Sequence, residues 1–167
     1  MAQQQLIKEI VSLSRAGSWT EAKAEWGLNR IYFALGEKPE RCLCGHFPII
    51  ELCELINEEN GHEATVGNCC VKKFLDLDSD KIFQATKRVK EDDERALNAE
   101  SIEYGHEQGW FSDWDYKFYM DTWRKRNLSG KQEAHRVRIN RKFLTRIETA
   151  SRRGNAKPTP PKLRSKN

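Results

Sequence analysis

All five cysteines of the chain lie between residues 42 and 70, and the first two are set in the run Cys42-Leu43-Cys44-Gly45-His46. A Cys-x-Cys-Gly turn can aim two thiolates at one point, because glycine accepts backbone conformations that a β-carbon resists. Ordinary buried thiols have no reason to gather beside such a turn and, at Asn68-Cys69-Cys70, beside a helix start. An odd number of clustered cysteines in a reducing compartment also argues against a disulfide framework. The spacing therefore predicts a structural metal site. A closed zinc tetrahedron needs four Cys or His donors. Cys42 and Cys44 form the first pair, and Cys69 is the expected third, since a helix N-terminus favours a thiolate. The fourth place is open between His46, close to the turn, and Cys53, the softer donor. Cys70 is then expected to point elsewhere.

Such a site requires the intervening chain to fold back on itself. Residues 48–56 are short, apolar-rich and partly alternating, Asn60-Gly61 is a turn signal, and residues 62–67 resume the alternation, which together read as a β-hairpin with His62 at its turn. Asn68 then caps a short helix through residue 75. Turn, hairpin and helix make a treble-clef-like order.

The flanks read as helical. Leu6, Ile7, Ile10 and Val11 form one stripe, and Ser18 with Glu21 forms a capping box that opens a second helix, expected to run to Leu35. Amphipathic stretches follow over residues 81–89 and 92–104. Between Gly109 and Trp123 come seven aromatics, of which Trp110, Trp114 and Phe118 share a helical face, with core packing expected ahead of base stacking. Ser129 with Gln132 caps a last helix to about Arg152. Its Val137, Ile139, Phe143, Leu144 and Ile147 fill one arc, with cations on the opposite arc. The expected fold is α+β and mainly helical: an N-terminal helical pair (1–40), a zinc module (41–75), a helical region (76–153) and a disordered basic tail (154–167).

The net charge of +4 hides a segregation. Residues 1–123 hold 14 Lys+Arg and 23 Asp+Glu, a net of −9, whereas residues 124–167 hold 15 and 2, a net of +13. Blocks of like charge are common in solvated faces and tails, yet so large an excess suits a polyanion. The candidate phosphate contacts are Arg124, Lys125, Arg126, Lys131, Arg138, Arg141, Lys142, Arg146, Arg152 and Arg153. A mean hydropathy of −0.81 with five tryptophans and seven phenylalanines describes a polar chain that nonetheless folds. There is neither a signal-peptide pattern at the start nor an apolar run of the roughly 20 residues that span a bilayer, so the expected location is the cytoplasm, away from membranes.

Enzymatic motifs are missing. His62-Glu63 lacks the H-x-E and P-C-x-x-C pattern of zinc deaminases, H-E-x-x-H is absent, and no phosphate-cradling glycine loop occurs. His106, Glu107, Glu103 and Asp113 could gather as an acid-base cluster, but exposed carboxylates near an aromatic helix are more often solvated. Neither catalysis nor a small-molecule substrate is expected.

The run Cys42-Leu43-Cys44-Gly45-His46, with Asn57, Asn60-Gly61 and Val66-Gly67-Asn68-Cys69-Cys70-Val71-Lys72-Lys73-Phe74, resembles a zinc-binding module of small proteins from bacteriophages and bacterial mobile elements. Leu128-Ser129-Gly130-Lys131-Gln132 is similar to a Leu-Ser-x-Lys-Gln element of the same sort of protein. The resemblance covers about half the chain and supplies no catalytic residues. It implies a phage or mobile-element origin, a host-cytoplasmic setting and a role with DNA or RNA, single strands included. The alternative is a protein-interaction module that inhibits or modulates a host enzyme or defence complex.

Overall fold

The computed structural model describes residues 1–35 and 38–154, with side chains described through residue 152. The chain divides into two compact units, Met1–Ser79 together with the described residues from Ala150 on, and Asp80–Thr149. The architecture is α+β, with a small antiparallel sheet and a helical remainder. The basic tail expected over 154–167 lies outside the described residues, apart from the backbone of Gly154. No described helix is long and apolar enough to cross a membrane.

The first unit opens with helix α1 (Ala2–Ser12), which buries Leu6 and Ile10, and α2 (Trp19–Ala24), whose N-cap Ser18 accepts from the Glu21 amide. The helix expected to reach Leu35 instead stops at Ala24. Strand β1 (Trp26–Phe33) follows at once and pairs antiparallel with β2 (Glu51–Asn57), from Trp26 opposite Asn57 to Phe33 opposite Glu51, with an irregularity between Leu28 and Arg30. Gly27 disfavours helix, and Ile31-Tyr32-Phe33 suit a half-buried sheet, so long-range pairing outweighs the local helical spacing.

Strand β3 (Glu63–Gly67) completes the sheet in the order β1-β2-β3. The hairpin turn falls where Asn60-Gly61 places it: Gly61 has φ 78°, a conformation a side chain resists, and the Gly61 amide donates to the Asn57 carbonyl. His62 sits at this turn, its ring Nδ1 2.9 Å from the Leu13 carbonyl oxygen. Because β1 belongs to the same sheet as the hairpin, the boundary expected at residues 40 and 41 falls inside the β1–β2 connection of one unit.

After β3 come α3 (Asn68–Cys70) and a π-helical turn (Val71–Leu75) that ends in the left-handed Asp76, at φ 51°. Asn68 is the first helical residue rather than the cap. Its buried side chain donates to Glu51 and accepts from the Ser79 hydroxyl, which fixes the rotation of the helix.

The second unit contains most of α4 (Ser79–Glu91), α5 (Ala99–Glu107), α6 (Asp113–Thr122) and α7 (Gly130–Gly154) through Thr149. Ser112 and Asp115 cap α6 reciprocally, and Ser129 with Gln132 does the same for α7. Ile139, Phe143 and Ile147 are buried along one arc of α7, each contributing about 1.5–3 kcal/mol by leaving water. Val137 and Leu144, at the arc's edge, are half-buried.

Candidate metal centre

The cysteine turn hangs between β1 and β2. The Cys42 amide donates to the His46 carbonyl and the Gly45 amide to the Cys42 carbonyl, closing a loop in which Gly45 has φ 92°. A β-carbon at Gly45 would also approach within 2.9 Å of the Gln5 side-chain oxygen. The turn thus needs glycine for its conformation, while the exposed Gln5 side chain can move aside.

Three sulfurs meet here. The Sγ atoms of Cys42, Cys44 and Cys70 all lie within 4.8 Å of one another and can hold a metal ion. Tetrahedral thiolates at about 2.3 Å from zinc would stand about 3.8 Å apart, so the donors are already near their places. Two backbone amides point at the sulfurs: Gly67 donates to Cys42 Sγ at 3.2 Å and His46 to Cys44 Sγ at 3.5 Å. Amides aimed at sulfur favour thiolate over thiol.

The three thiols differ in acidity. Burial pushes Cys42 up, only partly offset by the Gly67 amide. Burial, with Cys42 alongside, raises Cys70 strongly. Burial also acts against ionisation of Cys44, but hydrogen bonds from the His46 amide and from the Cys42 and Cys70 thiols outweigh it and hold Cys44 below the usual thiol range. Three clustered thiols, one of them easier to ionise than its neighbours, are a set of donors that a soft cation can draw together as protons leave.

The structure therefore groups Cys70, not the expected Cys69, with the pair. Adjacent helical residues point about 100° apart, so only one of the two can face the turn. Cys69 is exposed and heads a solvated stripe with Lys72 and Lys73, three and four residues on, whereas Asn68, Val71 and Leu75 are buried. That polar stripe is the sequence signal that identifies Cys69 as the outward one.

Neither candidate for the fourth place belongs to the three-sulfur group among the described residues. His46 is exposed and offers its amide to the cluster. Cys53 is fully buried at the centre of β2, and burial pushes its thiol up to about 12, with the Ser79 hydroxyl acting the other way and Cys42 adding repulsion.

The cationic candidates are in the helical region. Arg124, Lys125 and Arg126 are exposed between α6 and α7, and Lys131, Arg138, Arg141, Lys142 and Arg146 are exposed along α7, opposite its buried arc. Arg141 pairs with Asp93 at 2.7 Å, and Arg124 lies over the Trp123 ring. Arg152 is exposed, and the Arg153 side chain lies outside the described residues. Arg136 behaves differently from its neighbours: it is buried, donates to the Thr122 carbonyl and serves the fold. Of the suspected acid-base cluster, His106 and Asp113 meet at 2.8 Å, with the His106 ring stacked on Tyr116, while Glu103 and Glu107 are exposed. No protein-family model, curated protein or solved structure matches the chain.

Proposed function

We propose that the protein is a zinc-stabilised nucleic-acid-binding protein, in which a treble-clef-like module secures the sheet and the basic face of α7 contacts phosphates. The observation that carries this reading is the exposure of Lys131, Arg138, Arg141, Lys142 and Arg146 on the arc opposite buried Ile139, Phe143 and Ile147. A helix anchored on one side and cationic on the other presents a rigid array to a phosphate backbone. Zinc suits a donor set built on three cysteine sulfurs, with a fourth ligand completing the tetrahedron. No catalytic role is assigned to the metal. A phage or mobile-element origin, as the CxCGH resemblance implies, fits this reading.

Binding of labelled DNA and RNA, titrated with salt, tests it. The expected result is affinity that falls linearly on a log-log plot, with each cation-to-neutral substitution on α7 reducing the slope by about 1. No affinity at low salt would reject it. A second reading, a module that docks on a host enzyme or defence complex, is favoured by exposed Phe47 and Ile50 near the cysteine turn. A stoichiometric partner that survives nuclease treatment in a pull-down distinguishes it.

A further inference from the structure

Seven aromatics are crowded between Trp110 and Trp123, and packing treats them unequally. Phe111 and Tyr119 are buried, and Trp110 packs edge-on against Tyr104 and Phe143. Trp114 is the exception, at 64% exposed. Its indole lies nearly parallel to Phe118, with centroids 5.8 Å apart and planes 12° from coplanar. Both rings meet His135 of α7 edge-on at 4.7 Å. This support fixes the indole in place while leaving most of it in solvent.

The support also places the ring beside the cationic arc. His135 Nε2 is 3.0 Å from Asp115 Oδ1, and Arg138 Nη2 donates to His135 Nδ1 at 3.0 Å. Asp115 thus faces His135, the residue between the indole and the arginine. On α7, Lys131, His135, Arg138 and Lys142 recur at i, i+4, i+7 and i+11, one stripe about 16 Å long. Lys131 and Lys142 have no carboxylate at ion-pair distance among the described residues. Glu148 is the acid further along the same arc.

We infer that Trp114 and the Lys131–Arg138–Lys142 stripe form a binding site for single-stranded nucleic acid, with an unpaired base stacked on the indole and the adjoining phosphates on the cations. The inference rests on the nucleic-acid reading above and narrows it. A duplex keeps its base faces inside the stack, so an exposed indole adds nothing to duplex affinity, whereas every unpaired base offers a π-face. Successive phosphates of a stacked strand advance about 3.4 Å along the helix axis, so a 16 Å stripe spans several of them. Charge complementarity makes a polyanionic strand the better fit to this aromatic patch than an apolar protein surface.

Fluorescence anisotropy on the full chain, using an oligothymidine, an abasic strand of equal length and a duplex, tests the site. Trp114→Ala is expected to weaken oligothymidine binding by about 5- to 150-fold, the loss of one stacked base, and to leave abasic-strand and duplex binding unchanged. Trp114→Phe should restore most of the loss. Lys131→Gln with Lys142→Gln should weaken all three and flatten the salt dependence. Unchanged oligothymidine affinity in Trp114→Ala, with the wild-type protein still binding the duplex, overturns this site and leaves the broader function standing; the exposed indole would then be a protein contact. Absence of binding to all three probes overturns both.

Discussion

Residues 80–149 and residues 1–79 each gather a polar cluster in their interior, and the two clusters are built from different chemistry. In the helical unit, the Tyr119 hydroxyl accepts from the Leu97 amide and donates to Asn140 Oδ1, while Asn140 Nδ2 donates to the Asp93 and Arg95 carbonyls. Burial raises the Tyr119 hydroxyl to about 12, so it stays protonated and keeps donating. Every group at this junction has a partner within the chain. In the sheet unit, buried Cys42 and Cys44 and half-buried Cys70 bring together weakly hydrogen-bonding sulfurs that influence one another's acidity. A closed hydrogen-bond network needs nothing from outside, whereas three sulfurs within 4.8 Å of one another are placed where a metal ion could be held.

Metal removal should break this contrast most strongly. Structural zinc contributes apparent energies of about 10–16 kcal/mol in finger peptides, so chelation is expected to abolish hydrogen-exchange protection of β2 and β3. Cys44→Ser and Cys70→Ser should lose the metal, while Cys69→Ser keeps one equivalent by elemental analysis. A metal-free protein with fully protected strands would show the cluster to be ordinary core.

Asn140→Leu is the corresponding cut in the helical unit. It orphans two backbone carbonyls and the Tyr119 hydroxyl, with an expected loss of about 2–5 kcal/mol in denaturant melts, against about 1–3 kcal/mol for Tyr119→Phe. Neither should change metal content. A smaller effect, about 1–3 kcal/mol, is expected from Gly105→Ala, because a β-carbon there would meet the Phe111 ring at 2.4 Å.

The mildest test concerns pH. Glu25 accepts from the Asn57 side chain and from the Arg15 and Ala16 amides, and the Asn57 bond most of all holds its carboxyl below the ordinary glutamate value. A depressed carboxyl stabilises the fold fully above its unfolded value and ceases to do so as pH falls through the lower folded value. Wild type and Glu25→Gln should therefore differ in melting temperature at pH 6 and converge in strong acid. An equal gap at both pH values would mean that the Glu25 contacts do not depend on its charge.

Much of the local structure was legible in the residues. The Ser18 and Ser129 caps, the Asn60-Gly61 turn and the amphipathic α7 each rest on interactions within a few positions. The cysteine cluster was legible as a cluster but not as a set of donors. Cys69 and Cys70 are chemically equal, and only the rotation of α3, fixed by Asn68 between Glu51 and Ser79, turns one inward. Trp110 and Trp114 sit one helical turn apart in sequence, yet one packs against Phe143 while the other stands in solvent.

What the sequence determined by itself was thus what short-range chemistry determines: caps, the turn, the gathering of thiols, and the separation of a −9 segment from a +13 segment. Tertiary structure decided that residues 26–33 form a strand, that Cys70 joins Cys42 and Cys44, and that Trp114 is the exposed aromatic beside the cations. Each of these depends on partners distant in sequence. Periodicity registers the spacing of residues along one element, but not which face a second element covers.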